Sequence, residues 1–167
     1  MWSQFSIPFE GLEGRVYMAD GRDFGLASPS GAGVVGGVLY VVGTEGDDKA
    51  SVHQGATGFR VSGSFFPGGF VDLSAPPGSV SAVVMFLGGG NDDGWVKESV
   101  SVPVVVDGGA GNDEVSTLGP RGLVIGGQGA DSVNGGPSAD LLVSGTTAFD
   151  ENVPAGATPT RTVACTT

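Results

Sequence analysis

Apolar residues come in short runs along this chain, and nowhere do they recur with a helical period of 3.6. The runs cover residues 34–42, 50–53, 59–61, 65–66, 80–87, 95–96, 100–106, 123–125 and 141–143. They are rich in valine and bounded by Gly, Pro, Ser, Asp and Asn. Runs of this length between turn residues predict strands. The pattern therefore predicts an all-β fold with closely spaced strands. Residues 1–33 mix Gly, Ser, Pro and charged residues, and predict an irregular N-terminal segment or cap with irregular strands. The strand-bearing region is expected over residues 34–150. After Phe149 the chain turns to Asn, Pro, Ala, Gly and Thr, so residues 151–167 predict a flexible tail.

Composition sharpens this picture. The 167 residues include 32 glycines and 10 prolines, a content that signals either disorder or very frequent turns. Hydrophobic residues make up 40%, enough for a thin core, which favours turns. The net charge is −11, from 18 acidic and 7 basic residues. Such a chain repels nucleic acid and anionic membrane, and calls instead for bound cations wherever the acids cluster. The longest apolar run is glycine-broken and far too short to cross a bilayer, so no membrane insertion is expected. The lone cysteine, Cys165, permits no intramolecular disulfide and lies in the tail. Residues 1–10 lack the basic and apolar regions of a signal peptide, and export by another route stays open.

The glycines and aspartates are in register. Gly108-Gly109-Ala110-Gly111-Asn112-Asp113-Glu114-Val115-Ser116 fits the nine-residue pattern G-G-x-G-x-D-x-(apolar)-x. Gly126-Gly127-Gln128-Gly129-Ala130-Asp131-Ser132-Val133-Asn134 fits it again, and residues 135–143 fit with Ser138 in place of the third glycine. The unit between, 117–125, has lost its turn residues but keeps Val124 at the apolar position. Weaker copies stand at 43–51 and 87–92, and a degraded one begins at 144. At 108–113 and 126–131 a repeat at fixed period outweighs the reading as an ordinary glycine turn, and at 43–48 and 87–92 both readings stand.

The spacing has a chemical meaning. If six residues make a turn and three a strand, two units form one coil of a flattened solenoid. Turns eighteen residues apart then stack about 4.8 Å apart. A calcium–oxygen bond is about 2.3–2.6 Å, so one ion spans about one rung between stacked carboxylates. Asp113 and Asp131 would supply these carboxylates. Gly109, Gly111, Gly127 and Gly129 would supply backbone carbonyls. Asp92, twenty-one residues before Asp113, would join through a bulged coil. Asp140 faces Gly122 instead of an acid, and Asp48 stands apart from the array. Magnesium fits less well, and zinc or copper would want nitrogen or sulfur.

These turns resemble hemolysin-type (RTX) calcium-binding repeats. The resemblance covers residues 40–150: a Gly-Thr-x-Gly-Asp-Asp turn at 43–48 and a Leu-Gly-Gly-Gly-Asn-Asp turn at 87–92 lead into the most specific part, 104–150, where tandem nonapeptides precede Gly145-Thr146-Thr147-Ala148-Phe149-Asp150. It implies a parallel β-roll or β-helix (a right-handed solenoid), bound Ca2+ and an extracellular or cell-surface location. The expected function is a calcium-stabilised structural or adhesion module. The alternative is a calcium-independent solenoid that binds glycan or another surface ligand through its ladders of Ser and Thr, with a cell-surface or extracellular glycan or protein as partner.

No catalytic residue is expected. His53 is the sole histidine and reads as a solvated strand end. Neither H-E-x-x-H nor G-x-S-x-G occurs. Residues 31–36 spell G-x-G-x-x-G, but the strand and helix that a dinucleotide site needs are missing around them. Trp95, Phe86 and Phe149 read as packing or capping residues. In the pairs Asp47/Asp48 and Asp92/Asp93, alternation predicts one side chain toward the turn interior and the other toward water.

Overall fold

The computed structural model describes residues 30–76, 78–119, 121–145 and 163–164. Within them the chain is all-β. The strands β1 (Gly31–Val35) and β2 (Val38–Val42) form an antiparallel hairpin. Its two-residue loop needs positive φ, and Gly36 and Gly37 supply φ of 59° and 80°. The next three strands, β3 (Lys49–Gln54), β4 (Gly58–Gly63) and β5 (Phe70–Ser74), form an antiparallel meander. From there the chain moves back and forth between two sheets through β6 (Ala82–Gly89), β7 (Asp93–Val96), β8 (Val104–Ala110), β9 (Glu114–Thr117), β10 (Gly122–Gln128), β11 (Ser132–Asn134) and β12 (Leu141–Val143). A short β13 (Val163–Ala164) lies against β12.

The first sheet runs β1-β2-β6-β8-β10-β12-β13, and the second β11-β9-β7-β3-β4-β5. Both are mixed. The parallel parts are β2 to β6 to β8 to β10 to β12 in the first and β3 to β7 to β9 to β11 in the second. The antiparallel pairs are β1–β2, β3–β4–β5 and β12–β13. The expectation of a parallel array over all of 34–150 is corrected here, because residues 49–74 fold back on themselves. Gly55 and Gly58 close the first return with a bond from Gly55 N–H to the Gly58 carbonyl at 2.8 Å.

Alternation along each strand builds the core between the sheets. In β6 the buried side chains are Val83, Met85 and Leu87, with half-buried neighbours between them. Leu39, Val41, Val104, Val106 and Val124 continue this layer, and Val52, Val61, Val96 and Val115 face it from the second sheet. A parallel stack fixes register tightly, because a one-residue slip would turn this whole set outward.

Several details differ from the sequence expectation. Phe65 and Phe66 form a turn, not a strand, with their rings 4.6 Å apart. The strand at residues 70–74 carries alternating half-buried and exposed residues, and Asp72 breaks its Phe-Val-Asp-Leu-Ser sequence before an apolar run can form. Residues 100–103 are loop, and the strand starts at Val104. β1 begins inside the segment expected to be irregular. The expected tail lies outside the described residues except for Val163–Ala164, and Phe149 lies outside them too.

Candidate metal centre

The turns joining the first sheet to the second carry the sequence motif, and they are tighter than six residues. Gly108–Ala110 and Gly126–Gln128 already pair in parallel as the ends of β8 and β10, leaving residues 111–113 and 129–131 to turn. Glycine makes this possible at two positions per turn. Gly88, Gly109 and Gly127 have φ of 107°, 101° and 102°, and Gly90, Gly111 and Gly129 have φ of 109°, 137° and 136°. L-residues avoid this region. A methyl group there would also strike the coil before it: at Gly109 the Gly88 carbonyl, at Gly127 the Gly109 carbonyl, at Gly129 the Gly111 carbonyl. The carbonyls of Gly109 and Gly111 therefore point along the stack at the next coil's glycine.

The aspartates form a column. Asp92 is 1% exposed and Asp113 2%, and Asp48 and Asp140 are also buried. Backbone N–H groups lock one oxygen of each carboxylate. Asp48 N–H donates to Asp92 Oδ1 (2.7 Å), Asp92 N–H to Asp113 Oδ1 (2.8 Å) and Asp113 N–H to Asp131 Oδ1 (3.1 Å). Successive members stand 44, 21 and 18 residues apart in sequence. The twenty-one-residue coil thus keeps Asp92 in line with Asp113. Asp48 is not apart from the array but heads it, and the meander inserted after β3 accounts for the long interval.

The second oxygens tell the members apart. Asp48 is satisfied on both sides, taking the Thr44 N–H (2.6 Å) and Thr44 hydroxyl (2.8 Å) on Oδ2 and the Ser64 hydroxyl (2.8 Å) on Oδ1. The Oδ2 atoms of Asp92, Asp113 and Asp131 are buried with no hydrogen-bond partner. A buried, unsatisfied carboxylate oxygen is costly. Burial pushes the Asp92 carboxyl up to about 6, opposed by the Asp48 N–H and reinforced by the charges of Asp113, Asp48 and Asp47. Burial also raises Asp113 and Asp131, against the bonds that the Asp92 and Asp113 N–H groups donate to them. Asp131 adds repulsion to Asp113.

Among the described residues no three Asp, Glu, His or Cys side chains converge as a ready-made metal cluster. A cation held here would draw on the orphaned Oδ2 atoms and, for the rest, on backbone carbonyls. That donor set is all oxygen, which suits a hard cation. Asp140 does not join the column. It lies at the opposite edge, where its Oδ1 accepts the Gly122 N–H at 2.7 Å.

A second ladder was hidden in the sequence. Asn91 N–H donates to Asp47 Oδ1 (2.7 Å), Asn112 N–H to Asn91 Oδ1 (2.9 Å) and Ala130 N–H to Asn112 Oδ1 (2.9 Å), all exposed. The signal was present: an Asp or Asn precedes the turn aspartate at 47, 91 and 112. As alternation predicted, Asp47 faces water while Asp48 faces inward. Asp92 is buried, and Asp93 pairs with Lys49 at the surface.

Elsewhere, His53 is exposed and lies across from Arg60. It lines a groove of about 380 Å³ with Thr57, Phe59, Arg60 and Asp72. Arg60 and Asp72 satisfy each other there, at 2.7 and 2.8 Å, and Phe70 lies under the guanidinium at 4.5 Å. Trp95 is half-buried with the Lys97 ammonium 5.7 Å from its ring centre. No helix among the described residues is long and apolar enough to cross a membrane.

No family model, curated protein or solved structure matches this chain. The likeness to hemolysin-type repeats is thus carried by the turn residues alone.

Proposed function

We propose that this chain is a calcium-binding, non-catalytic module whose stacked turns form a β-solenoid stabilised by the ion. One observation carries the reading: three buried carboxylate oxygens, Asp92, Asp113 and Asp131 Oδ2, stand in one column with no hydrogen-bond partner. A divalent cation supplies the charge and the oxygen-seeking coordination that these atoms lack. The chain's own part is to bury the carboxylates, hold each Oδ1 on a backbone N–H and bring glycine carbonyls close through positive φ. The alternation of parallel strands between two sheets supports the solenoid, with a right-handed crossover by the general rule. Extracellular calcium matches sites of this kind, whose affinity need be no better than about 10⁻⁴–10⁻³ M. This favours a structural or adhesive role outside the cell.

Thermal melts in excess calcium and in excess chelator test the reading. At a hundredfold excess over Kd one site adds about 2.7 kcal/mol of stability. Asp113→Ala with Asp131→Ala removes that gain. Identical melts of the unaltered chain with and without calcium would overturn the proposal.

A further inference from the structure

The two sheets differ on their outer faces. Alternation turns Val83, Met85 and Leu87 of β6 inward, so Val84 and Phe86 face out. The pairing registers continue both positions across the first sheet. One row reads Tyr40, Val84, Val105, Leu123 and Leu141 from β2 to β12. The next reads Val42, Phe86, Asp107, Ile125 and Val143. Asp107 is the one charged side chain in these two rows. On the second sheet an outer row from β3 to β5 reads His53, Arg60 and Asp72. A sheet face turned to water is ordinarily polar, and the first sheet departs from that rule.

Part of this apolar face is closed from solvent. Val42 is 7% exposed and Ile125 9%, yet neither joins the core cluster between the sheets. Tyr40, Phe86 and Asp107 on the same face are not free either. Toward the rims the side chains open out, to 42% at Val35 on β1 and 47% at Leu141 on β12. The closure is therefore over the inner strands of the sheet.

We propose that residues 1–29 of this chain lie across the outer face of the first sheet and cover it. The segment runs directly into β1, a strand of that same sheet. It carries the apolar surface needed, with Trp2, Phe5, Phe9, Tyr17 and Phe24 among its residues. Residues 146–162 hold a single aromatic, Phe149, and β13 beyond them takes the edge beside β12. Six strands about 4.8 Å apart make a face about 24 Å wide, which roughly seven extended residues cross. The segment also brings Arg15 and Arg22 to meet Asp107, while Lys49 and Arg60 are held by Asp93 and Asp72 on the other sheet. A second copy of the chain fits less well. Five residues of strand give the face a length of about 17 Å, so its plan area is on the order of 400 Å². That is about half of the roughly 800 Å² that each partner of a standard complex buries. A tethered segment needs no such area, because its effective concentration is about millimolar.

Tryptic cleavage of the full chain after Arg15 and Arg22, followed by mass spectrometry, decides it. A synthetic peptide of residues 1–29 sets the rate for an uncovered segment. Both bonds in the folded chain should be cut roughly tenfold or more slowly than in the peptide. Leu123→Asp places a charge in the middle of the face and should bring both rates toward the peptide's, with the circular dichroism spectrum retained. Val105→Thr is the milder change on the same row and should move the rates in the same direction should Leu123→Asp fail to fold. Ser62→Asp, on the outer face of the second sheet, should leave them unchanged. Cleavage of the unaltered chain at the peptide's rate would overturn the proposal. So would protection that survives both Leu123→Asp and Val105→Thr, since the segment would then be held elsewhere. A mass that doubles with concentration and persists after cleavage at Arg22 would assign the face to a second copy instead.

Discussion

Asp92 bears the heaviest electrostatic burden of any residue in the column. Its carboxyl is pushed up to about 6 in the folded chain, mainly by burial. The sign of the consequence follows. Below about pH 4 both folded and unfolded chains hold the proton, and the group costs nothing. As pH rises toward 6 the unfolded chain releases it first, so the ion-free fold loses stability, on the order of 3 kcal/mol, and the penalty is complete above 6. Urea unfolding in chelator should therefore show a lower midpoint at pH 7 than at pH 5, and calcium should flatten or reverse that slope. Asp92→Asn should raise the midpoint in chelator, since the uncharged amide oxygen can still accept the Asp48 N–H, and lower it in calcium. Equal shifts of one sign in both buffers would contradict a cation role. Gly109→Ala tests the backbone. Its φ is 101° and its methyl would run into the Gly88 carbonyl, so a loss of at least about 2 kcal/mol is expected by the same measurement.

Two ladders stitch each turn to its neighbours in opposite senses. Aspartates accept N–H groups from the coil before, whereas Asp47, Asn91 and Asn112 accept from the coil after. Removing Asn112 therefore unties Ala130 below and the bond from its own amide to Asn91 above. Asn112→Ala should cost about 1 kcal/mol in urea unfolding, with calcium uptake unchanged. Ala130→Asn should extend the ladder by one rung and gain a few tenths of a kcal/mol. The period of nine made β9, β11 and the turns at 108 and 126 legible, because both glycine positions and the aspartate recur together. Residues 70–74 were not legible, since an exposed edge strand has little reason to form an apolar run. The hydroxyl contacts of Thr44 and Ser64 that complete Asp48 come from residues 4 and 16 positions away, a closure no local pattern reveals.

Over the whole molecule, the all-β class was written in the short valine-rich runs between turn residues, while the mixed character of the sheets was not. The meander from β3 to β5 interrupts the first coil and returns without displacing it, so that Leu39 still pairs with Val83 and Ala50 with Gly94. Its strands β4 and β5 lie beyond the reach of the nonapeptide, and only the fold shows that Asp48 belongs with Asp92. Coils of 44, 21 and 18 residues thus deliver their aspartates to one line. The molecule keeps time in space and not along the chain, and it tolerates delay only on one side of the beat. Lengthening the loop between β5 and β6 should be nearly silent in a denaturation curve, since doubling a loop costs only about 0.6 kcal/mol. A single residue added within 129–131 should be ruinous, because it throws β11 out of phase with the strand above. Room for new sequence therefore lies where the chain wanders, and none is left where it turns.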